Sequence, residues 1–236
     1  MSEKFTVLVP EKVGAAGLDI FRNAPEVELV FEPALTEDEL MAKLPEADGI
    51  LIRSGTKMDE KKIEAATKLR VIGRAGVGVD NIDVAAASRR GVIVINAPTG
   101  NTLAAAELTL ANMLALLRYV PQAYKSLREG KWERSRFNGH QLAGKKLLVI
   151  GLGPIGSEVA KRARAFEMEI IAFDPYVTKK HADELDVTLV DDLAGAVSVA
   201  DVITIHTPLT DSTRKMIDAK LLRAFKKGSY LVNCAR

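Results

Sequence analysis

A glycine-rich segment in the second half of the chain has the residue types and spacing of a nucleotide-binding loop. Residues 147–156 form an apolar run that leads into the pattern GxGxxG, and a helical pattern follows over Ser157–Glu167. In such a loop Gly151 permits a tight turn, Gly153 lets a pyrophosphate approach the backbone, and Gly156 lets the helix pack closely on the strand. The N-terminal end of that helix carries free amide groups and a positive dipole, which favour phosphates. The segment therefore predicts a dinucleotide site rather than a glycine turn without a ligand.

Asp174 stands where a dinucleotide site needs an acidic residue. It closes the next predicted strand, 18 residues after Gly156. A carboxylate at this point accepts hydrogen bonds from both ribose hydroxyl groups, whereas the 2′-phosphate of NADP would meet a like charge with no adjacent arginine to offset it. The alternative interpretation is a turn residue ahead of Pro175, which the distance from the glycines makes weaker. We therefore predict NAD as the cofactor.

Two arginines follow predicted strands in the first half of the chain. Arg53 and Ser54 come after one apolar run, and Arg74 comes after the next, followed by Gly76 and Gly78. Ligands of open α/β sheets bind beyond the carboxyl ends of the strands, so these side chains are placed to bind an anionic substrate. The two glycines would leave the backbone amide groups of the segment open as a nest for a carboxylate. Each arginine alone is as consistent with a solvated strand end, but the pair beside the glycines favours a substrate site.

Short apolar runs alternate with helical patterns along the whole chain, which is typical of parallel sheets covered by helices. The predicted strands of the first half are Phe5–Val9, Val27–Phe31, Gly49–Ile52, Val71–Gly73 and Val92–Ile95. Those of the second half are Leu147–Ile150, Glu169–Phe173, Val187–Val190, Val202–His206 and Tyr230–Val232. The predicted fold class is therefore α/β, with one open sheet in each half.

The stretch between the two predicted sheets marks a domain boundary. We place it near residue 98, which gives domains 1–98 and 99–236. A long apolar helix is predicted over Thr102–Val120, directly after the boundary. It carries Glu107 and Arg118, and such charges are costly in a bilayer, so we expect a buried helix and no membrane span.

Composition argues against several classes of protein. The 236 residues are 47% hydrophobic, enough for a sizeable core, and the 33 basic and 31 acidic residues form no long run of one charge, so nucleic acid is a poor partner. The single cysteine, Cys234, allows no intramolecular disulfide, and the opening MSEKFTVLVP lacks the features of a signal peptide. We expect a cytoplasmic globular protein with no metal site.

Five groups of residues in a fixed order carry a family resemblance. They read GRAGVGVDNID at 73–83, GNT at 100–102 with AAEL at 105–108, GKWER at 130–134, HTPL at 206–209 and VNCAR at 232–236. Together they resemble the NAD-dependent D-2-hydroxyacid dehydrogenase family, most closely its 3-phosphoglycerate dehydrogenase branch, from the first predicted strand to the end. The resemblance implies a Rossmann-type doubly wound NAD domain, incomplete at its C-terminus, and a flavodoxin-like α/β substrate domain.

The resemblance also implies a role for each site residue. Arg236 would be the catalytic arginine, which orients the carboxylate and carbonyl of the substrate. The implied substrate-binding residues are Arg53, Ser54, Arg74, Gly76, Val77, Asn101 and Arg134. The implied cofactor-binding residues, with the glycine motif and Asp174 included, are Val77, Gly151, Gly153, Pro154, Ile155, Gly156, Asp174, Pro175, His206, Thr207, Pro208, Cys234, Ala235 and Arg236. The stretch from Arg118 to His140 resembles the family's dimer arm, so a homodimer or homotetramer is expected of the complete protein.

The sequence departs from the family pattern at three points. Pro154 replaces an arginine, which removes one amide donor and one charge from the pyrophosphate site. Val77 replaces the threonine of close relatives but keeps its amide group. The family's glutamate and histidine would follow Arg236, so we expect this chain to bind the cofactor without useful turnover. His206 is more consistent with a strand-end imidazole than with a substitute base, and Cys234 with a small strand residue than with a nucleophile.

The function implied by the resemblance is oxidation of 3-phospho-D-glycerate to 3-phosphohydroxypyruvate with NAD, at the head of serine biosynthesis. A phosphorylated 2-hydroxy acid fits the two arginines of the first half. Two alternatives stay open. One is a dehydrogenase or reductase of another 2-hydroxy acid, of the glyoxylate or hydroxypyruvate type, and the other is a non-catalytic NAD-sensing member of the superfamily.

Overall fold

The computed structural model of the protein describes residues 4–235. The chain divides into two compact units, Met1–Asn101 and Thr102–Arg236. Each unit has its own five-stranded sheet and its own buried apolar core. The division lies close to the boundary predicted near residue 98.

The first unit is a parallel sheet with helices in its crossovers. Its strands are β1 (Phe5–Val9), β2 (Val27–Phe31), β3 (Gly49–Ile52), β4 (Val71–Arg74) and β5 (Ile93–Asn96). Its α-helices are α1 (Ala15–Arg22), α2 (Glu37–Lys43), α3 (Glu60–Ala65) and α4 (Val84–Arg89), with a 3-10 turn at Leu44–Glu46. The strands pair in the order β2-β1-β3-β4-β5, which is the flavodoxin-like order of a doubly wound sheet.

Side-chain caps fix where three helices of this unit begin. The Thr36 hydroxyl accepts the Glu39 N–H at 3.3 Å, and the Glu39 carboxylate accepts the Thr36 N–H at 2.8 Å, which forms a capping box at α2. Asp59 and Asp83 cap α3 and α4, each through one backbone N–H three residues further along. A cap of this kind contributes about 1 kcal/mol to helix stability. The caps therefore also set where the loops after β3 and β4 end.

The second unit is a second parallel sheet. Its strands are β6 (Lys146–Ile150), β7 (Glu169–Phe173), β8 (Thr188–Leu189), β9 (Val202–Ile205) and β10 (Tyr230–Asn233). Its α-helices are α5 (Thr102–Leu117), α6 (Val120–Arg128), α7 (Pro154–Ala165), α8 (Lys179–Glu184), α9 (Leu193–Val199) and α10 (Ala219–Ala224), with a 3-10 turn at Arg134–Phe137. The pairing order β10-β9-β6-β7-β8 is that of the first five strands of a Rossmann sheet. The predicted α/β class is confirmed in both units.

The central strand of this sheet is buried on both faces. Leu147 and Val149 pack in one apolar cluster with α7, while Leu148 and Ile150 pack in another with α9. All four side chains are fully buried, which is why the sequence shows a continuous apolar run here instead of an alternating one. The carboxyl end of β6 thus enters the glycine loop from a rigid position.

The helix predicted over Thr102–Val120 was wrong beyond Leu117. There α5 ends, Tyr119 takes a left-handed backbone conformation with a φ of +54°, and α6 begins at Val120 with a bend of 62°. Pro121 in the first turn of α6 has no N–H to continue the earlier helix, which explains the break. Within the described residues no single helix is long and apolar enough to cross a membrane, although α5 and the bent α6 pass that test together by length and composition alone.

Candidate functional site

The glycine loop between β6 and α7 requires the absence of a side chain at two of its three glycines. Gly151 has a φ of +92°, and a Cβ atom there would lie 2.9 Å from backbone atoms of His206 and Thr207. A Cβ atom on Gly156 would overlap the carbonyl oxygen of Gly151. A Cβ atom on Gly153 would meet no atom within 4 Å. The fold itself therefore requires Gly151 and Gly156, whereas Gly153 leaves open space beside the loop.

The start of α7 presents two backbone amide groups. Its first hydrogen bond runs from the Ser157 N–H to the Gly153 carbonyl oxygen at 2.9 Å, so the amide groups of Ile155 and Gly156 precede the helical ladder. Pro154 lies in the first turn, where its fixed φ suits the helix and its missing N–H breaks no intrahelical bond. The helix end therefore keeps its preference for anions with one donor fewer than a loop without proline.

Asp174 joins the end of β7 to the glycine loop. Its Oδ2 accepts the N–H of Leu152, the residue between Gly151 and Gly153, at 2.8 Å, and its Oδ1 accepts the Tyr176 N–H at 2.9 Å. Each carboxylate oxygen has a second acceptor direction, so the same group can orient the loop and still accept ribose hydroxyl groups. The turn role and the ribose role are thus compatible at this one residue.

The end of β9 lies against the glycine loop. The His206 N–H donates to the Ile150 carbonyl oxygen at 2.8 Å, and His206 Nε2 lies 2.9 Å from the Thr204 hydroxyl oxygen. Burial lowers the pKa of His206 to about 4, so its imidazole is neutral near pH 7 and is a weak base there. Thr207 follows directly beside Gly151. The geometry therefore matches a neutral imidazole that borders the loop.

The other predicted cofactor residues that the structure describes in this unit are Pro175, Pro208, Cys234 and Ala235. The two prolines are exposed, whereas Cys234 and Ala235 are half-buried. The Cys234 Sγ accepts a hydrogen bond from the side-chain amide of Asn112 on α5 at 3.4 Å. Arg236, the predicted catalytic arginine, lies outside the described residues.

The candidate anion site lies in the first unit, where β3 and β4 end side by side. Ile52 and Arg74 are paired in register, and the Ala75 N–H donates to the Ile52 carbonyl oxygen at 2.8 Å. Arg74 is only 6% exposed, whereas Arg53 and Ser54 are exposed directly after β3. The fold thus brings the predicted substrate-binding residues Arg53, Ser54 and Arg74 to one edge of the sheet.

The loop after β4 folds over the Arg74 side chain. A Cβ atom on Gly76 would overlap the Arg74 guanidinium, so that group occupies the space beside the glycine. The Gly76 N–H donates to the Arg74 carbonyl oxygen at 2.8 Å, which corrects the expectation that this amide is open to a carboxylate. Between residues 4 and 235 the amide groups of Val77 and Gly78 have no hydrogen-bond acceptor, and the Asn96 side-chain amide holds the Val77 carbonyl oxygen at 2.6 Å. The predicted nest is therefore narrowed to two amide groups.

The two other predicted substrate residues are Asn101 and Arg134. Asn101 is exposed at the end of the first unit, and Arg134 is exposed in the 3-10 turn of the second. Sequence reasoning missed Glu11 and Asn81, which contact the loop after β3. A signal was available, since Glu11 follows the carboxyl end of β1 and Asn81 stands inside the motif GRAGVGVDNID. Across residues 4–235 no group of three His, Cys, Asp or Glu side chains could hold a metal ion.

The second unit matches a known family of protein domains. Residues 110–236 match the family model described as D-isomer specific 2-hydroxyacid dehydrogenase, NAD binding domain. The chain belongs to the D-isomer specific 2-hydroxyacid dehydrogenase family. The glycine loop, Asp174 and His206 therefore lie in the NAD-binding domain of a member of this family.

Relatives of this 2-hydroxyacid dehydrogenase family member match nearly its whole length. It is 49% identical over 230 residues to the D-3-phosphoglycerate dehydrogenase of Methanocaldococcus jannaschii, an alignment that covers 98% of this chain and 44% of the relative. The chain thus spans less than half the length of that relative. The solved structure of TT0316 protein from Thermus thermophilus matches with a TM-score of 0.89 at 32% identity, covering 98% of this chain and 74% of that one. A glyoxylate reductase from Paecilomyes thermophila matches with a TM-score of 0.90 at 27% identity, covering 100% and 74%.

Proposed function

We propose that this chain supplies the NAD-binding and substrate-binding parts of a D-3-phosphoglycerate dehydrogenase, which oxidises 3-phospho-D-glycerate to 3-phosphohydroxypyruvate at the head of serine biosynthesis. The observation that carries the proposal is the buried Arg74 guanidinium beside Gly76, next to the amide groups of Val77 and Gly78. A guanidinium and two amide donors suit the carboxylate of the substrate. The exposed Arg53 beyond the neighbouring strand supplies positive charge for a second anionic group. The 49% identity to a relative of that name supports the same substrate.

Each residue has a proposed task in this reaction. When bound, NAD would supply the acceptor for the hydride that leaves C2 of the acid, and the proton of the C2 hydroxyl group would pass to a base other than His206. Arg236 is proposed to orient the carboxylate and carbonyl of the substrate. His206 is not the proposed base, because a pKa of about 4 makes it a poor proton acceptor near pH 7. Since the chain spans 44% of its relative, binding and not turnover is the direct test of it.

Replacing Asp174 by alanine tests the cofactor half of the proposal. The unchanged chain is expected to bind NADH at least tenfold more tightly than NADPH, because Asp174 accepts ribose hydroxyl groups and repels a 2′-phosphate. Asp174→Ala should lower NADH affinity about tenfold, the equivalent of about 1.4 kcal/mol, and bring the two cofactors close to equal affinity. Calorimetric titration with each cofactor measures both effects.

Asp174→Asn serves as the matched control for loop geometry. Its remaining oxygen can accept the Leu152 N–H, so the glycine loop stays held while the negative charge and the acceptor for the Tyr176 N–H are lost. We expect this variant to gain affinity for NADPH with a smaller loss for NADH than the alanine variant. An alanine variant that binds NADH as tightly as the unchanged chain would contradict the ribose role of Asp174.

Substitution of Gly76 by alanine tests the substrate half. The new methyl group overlaps the flexible end of the Arg74 side chain, which must leave its position beside the loop. We expect at least a tenfold loss of affinity for 3-phosphoglycerate, since a hydrogen bond to a charged group contributes about 1.5–3 kcal/mol, and the unfolding midpoint shows how much the displaced Arg74 side chain contributes to stability. Calorimetry with 3-phosphoglycerate and thermal unfolding give the two readouts. Gly17→Ala, at a glycine of α1 with open space around it, is the control that should keep the affinity and raise the unfolding midpoint slightly, because alanine favours a helix over glycine. Unchanged affinity in Gly76→Ala would remove Arg74 from the site.

The likeness to a glyoxylate reductase favours a second candidate function, reduction of an unphosphorylated 2-keto acid. The two candidate substrates differ in whether they offer Arg53 a second anionic group to bind. Binding of 3-phosphoglycerate at least tenfold more tightly than D-glycerate supports the phosphorylated substrate. Equal affinities for 3-phosphoglycerate and D-glycerate would favour an unphosphorylated substrate such as glyoxylate or hydroxypyruvate.

We further propose a cytoplasmic homodimer or homotetramer for the complete protein. The segment from α6 to the 3-10 turn supports an interface, because Tyr124, Leu127 and Trp132 are 65%, 54% and 74% exposed. Exposed aromatic side chains in one segment are typical of association surfaces. Arg134 of this segment is proposed to reach the substrate of the neighbouring subunit, and the single cysteine suits a reducing compartment.

A further inference from the structure

The loop Arg53–Thr56 carries two proposed substrate-binding residues and contains no regular secondary structure. Its backbone is held by the carboxylate of Glu11, which follows β1. Glu11 Oε1 accepts the N–H groups of Arg53 at 2.9 Å and Thr56 at 2.7 Å, and Oε2 accepts the Gly55 N–H at 3.2 Å. Three amide donors of the loop are thus directed at one internal anion. The substrate is left with the side chains of the loop and not with these amide groups.

Asn81 holds the same loop through its carbonyl groups. Its Nδ2 donates to the carbonyl oxygens of Arg53 and Thr56, both at 2.7 Å. The backbone of Asn81 is fixed in turn, because its carbonyl oxygen accepts the N–H of the fully buried Met58 at 2.8 Å. Glu11 and Asn81 therefore bind both ends of the loop, one through its donors and the other through its acceptors.

Only one orientation of the Asn81 side chain fits. Its nitrogen faces two carbonyl oxygens, and its Oδ1 is buried with no hydrogen-bond donor among the described residues. A buried acceptor without a partner is unfavourable for folding, so stability alone does not explain an asparagine at this position. An aspartate of the same shape would place oxygen opposite oxygen at both contacts, so the position requires an amide nitrogen.

The residue after Glu11 contacts the Arg53 side chain. The Arg53 Nη1 donates to the carbonyl oxygen of Lys12, the residue after Glu11, at 3.3 Å. Burial raises the pKa of Glu11, but hydrogen bonds from the Arg53, Thr56 and Gly55 backbone outweigh that effect and lower the pKa overall. The carboxylate is therefore ionised at neutral pH, and its charge is directed to backbone donors.

We propose that Glu11 and Asn81 are positioning residues for the substrate, which hold the Arg53–Thr56 loop so that Arg53 and Ser54 stand at the same sheet edge as Arg74. The inference rests on the proposed substrate role of Arg53 and Ser54. Neither Glu11 nor Asn81 is expected to touch the substrate. Their removal should free the loop and disperse the charge that recognises the anion, while the NAD-binding domain is unaffected.

The experiment compares Asn81→Asp and Glu11→Gln in the 236-residue chain. For each variant, amide hydrogen exchange at Arg53, Gly55 and Thr56 reports the loop, and calorimetry reports affinity for 3-phosphoglycerate and for NADH. We expect at least tenfold faster exchange at those amide groups, at least tenfold weaker 3-phosphoglycerate binding, and unchanged NADH binding. Asn81→Ala, which removes the donor without adding a charge, gives the same test if the aspartate variant does not fold.

Asp48→Asn is the matched control. The Asp48 carboxylate also accepts a backbone N–H, that of Thr6 at 2.9 Å, but it lies before β3 and not after it. This variant should keep the 3-phosphoglycerate affinity of the unchanged chain. An equal loss of affinity in Asp48→Asn would show a general effect of destabilising the first unit and would overturn the positioning role.

The remaining outcomes separate the inference from the function on which it rests. Faster exchange with unchanged 3-phosphoglycerate affinity would make the contacts purely structural and overturn the inference, as would unchanged exchange. If the unchanged chain binds NADH but neither 3-phosphoglycerate nor D-glycerate, the proposed substrate is wrong and the positioning role falls with it. In that case the exchange rates still show whether Glu11 and Asn81 hold the loop.

Discussion

Substitution of Gly156 by alanine is expected to lower the free energy of unfolding by about 3 kcal/mol and to abolish measurable NADH binding. The added Cβ atom would overlap the carbonyl oxygen of Gly151, and backbone cannot move aside as a flexible side chain can. Relief requires α7 to shift away from the end of β6. That shift displaces the amide groups of Ile155 and Gly156 from the loop, so stability and cofactor affinity should fall together. Chemical denaturation and calorimetric titration with NADH measure the two losses.

Gly153→Ala is the control within the same motif. A Cβ atom there meets nothing within 4 Å, and the residue has an ordinary φ of −69°. The unfolding midpoint should therefore fall only slightly, because alanine is a poorer N-cap than glycine, while NADH affinity falls because the methyl group stands where the pyrophosphate approaches. If Gly153→Ala bound NADH as tightly as the unchanged chain, the pyrophosphate would not pass at this glycine. If Gly156→Ala kept full stability, the close packing of α7 on the loop would be wrong.

The two sheets could be predicted from sequence because most of the strands are short runs of mainly apolar residues. Every predicted strand end lies within one residue of the observed one. Buried parallel strands have apolar side chains on both faces, so the run and the strand coincide. Helix ends were harder, since α7 begins at Pro154 and not at Ser157, and the break at Tyr119 depends on a single left-handed residue before Pro121. A left-handed tyrosine has no signature of its own in the sequence.

The placement of the candidate site residues could be predicted where a local pattern or a strand end determines it. The glycine motif and the edge formed by Arg53 and Arg74 follow from local patterns and the rule for strand ends. The contacts of Glu11 and Asn81 with the Arg53–Thr56 loop do not follow from local patterns. Glu11 lies 42 to 45 residues from its partners in the sequence, and Asn81 lies 25 to 28 residues from its own. Such long-range contacts can be predicted only when the order of the strands in the sheet is known. The hydrogen bond from the Gly76 N–H to the Arg74 carbonyl oxygen was not predicted either, because it depends on the backbone turn of residues 74–76.

The stability of the second unit is expected to fall as the pH is lowered from 6.5 to 4. Burial lowers the pKa of His206 from 6.5 to about 4 in the folded protein. Between these two pH values the unfolded chain binds a proton that the folded chain does not, so the free energy of unfolding rises with pH. The contribution of the neutral His206 to stability is complete above pH 6.5 and is lost as the pH falls to 4. A shift of this size corresponds to a loss of up to about 3 kcal/mol. Denaturant unfolding at pH 4.5, 5.5 and 7 measures the slope.

The variants His206→Gln and Thr204→Val show whether this pH dependence of stability comes from burial of the imidazole or from its hydrogen bond to Thr204. His206→Gln removes the titrating group, so the variant should lose less stability between pH 7 and 4.5 than the unchanged chain. Thr204→Val keeps the imidazole but removes the hydroxyl 2.9 Å from its Nε2, so it should be less stable at every pH with the slope retained. Equal slopes in the unchanged chain and in His206→Gln would mean that His206 is protonated in the folded state below pH 6.5. A neutral imidazole beside the glycine loop would then be excluded, and His206 would return as a candidate proton donor.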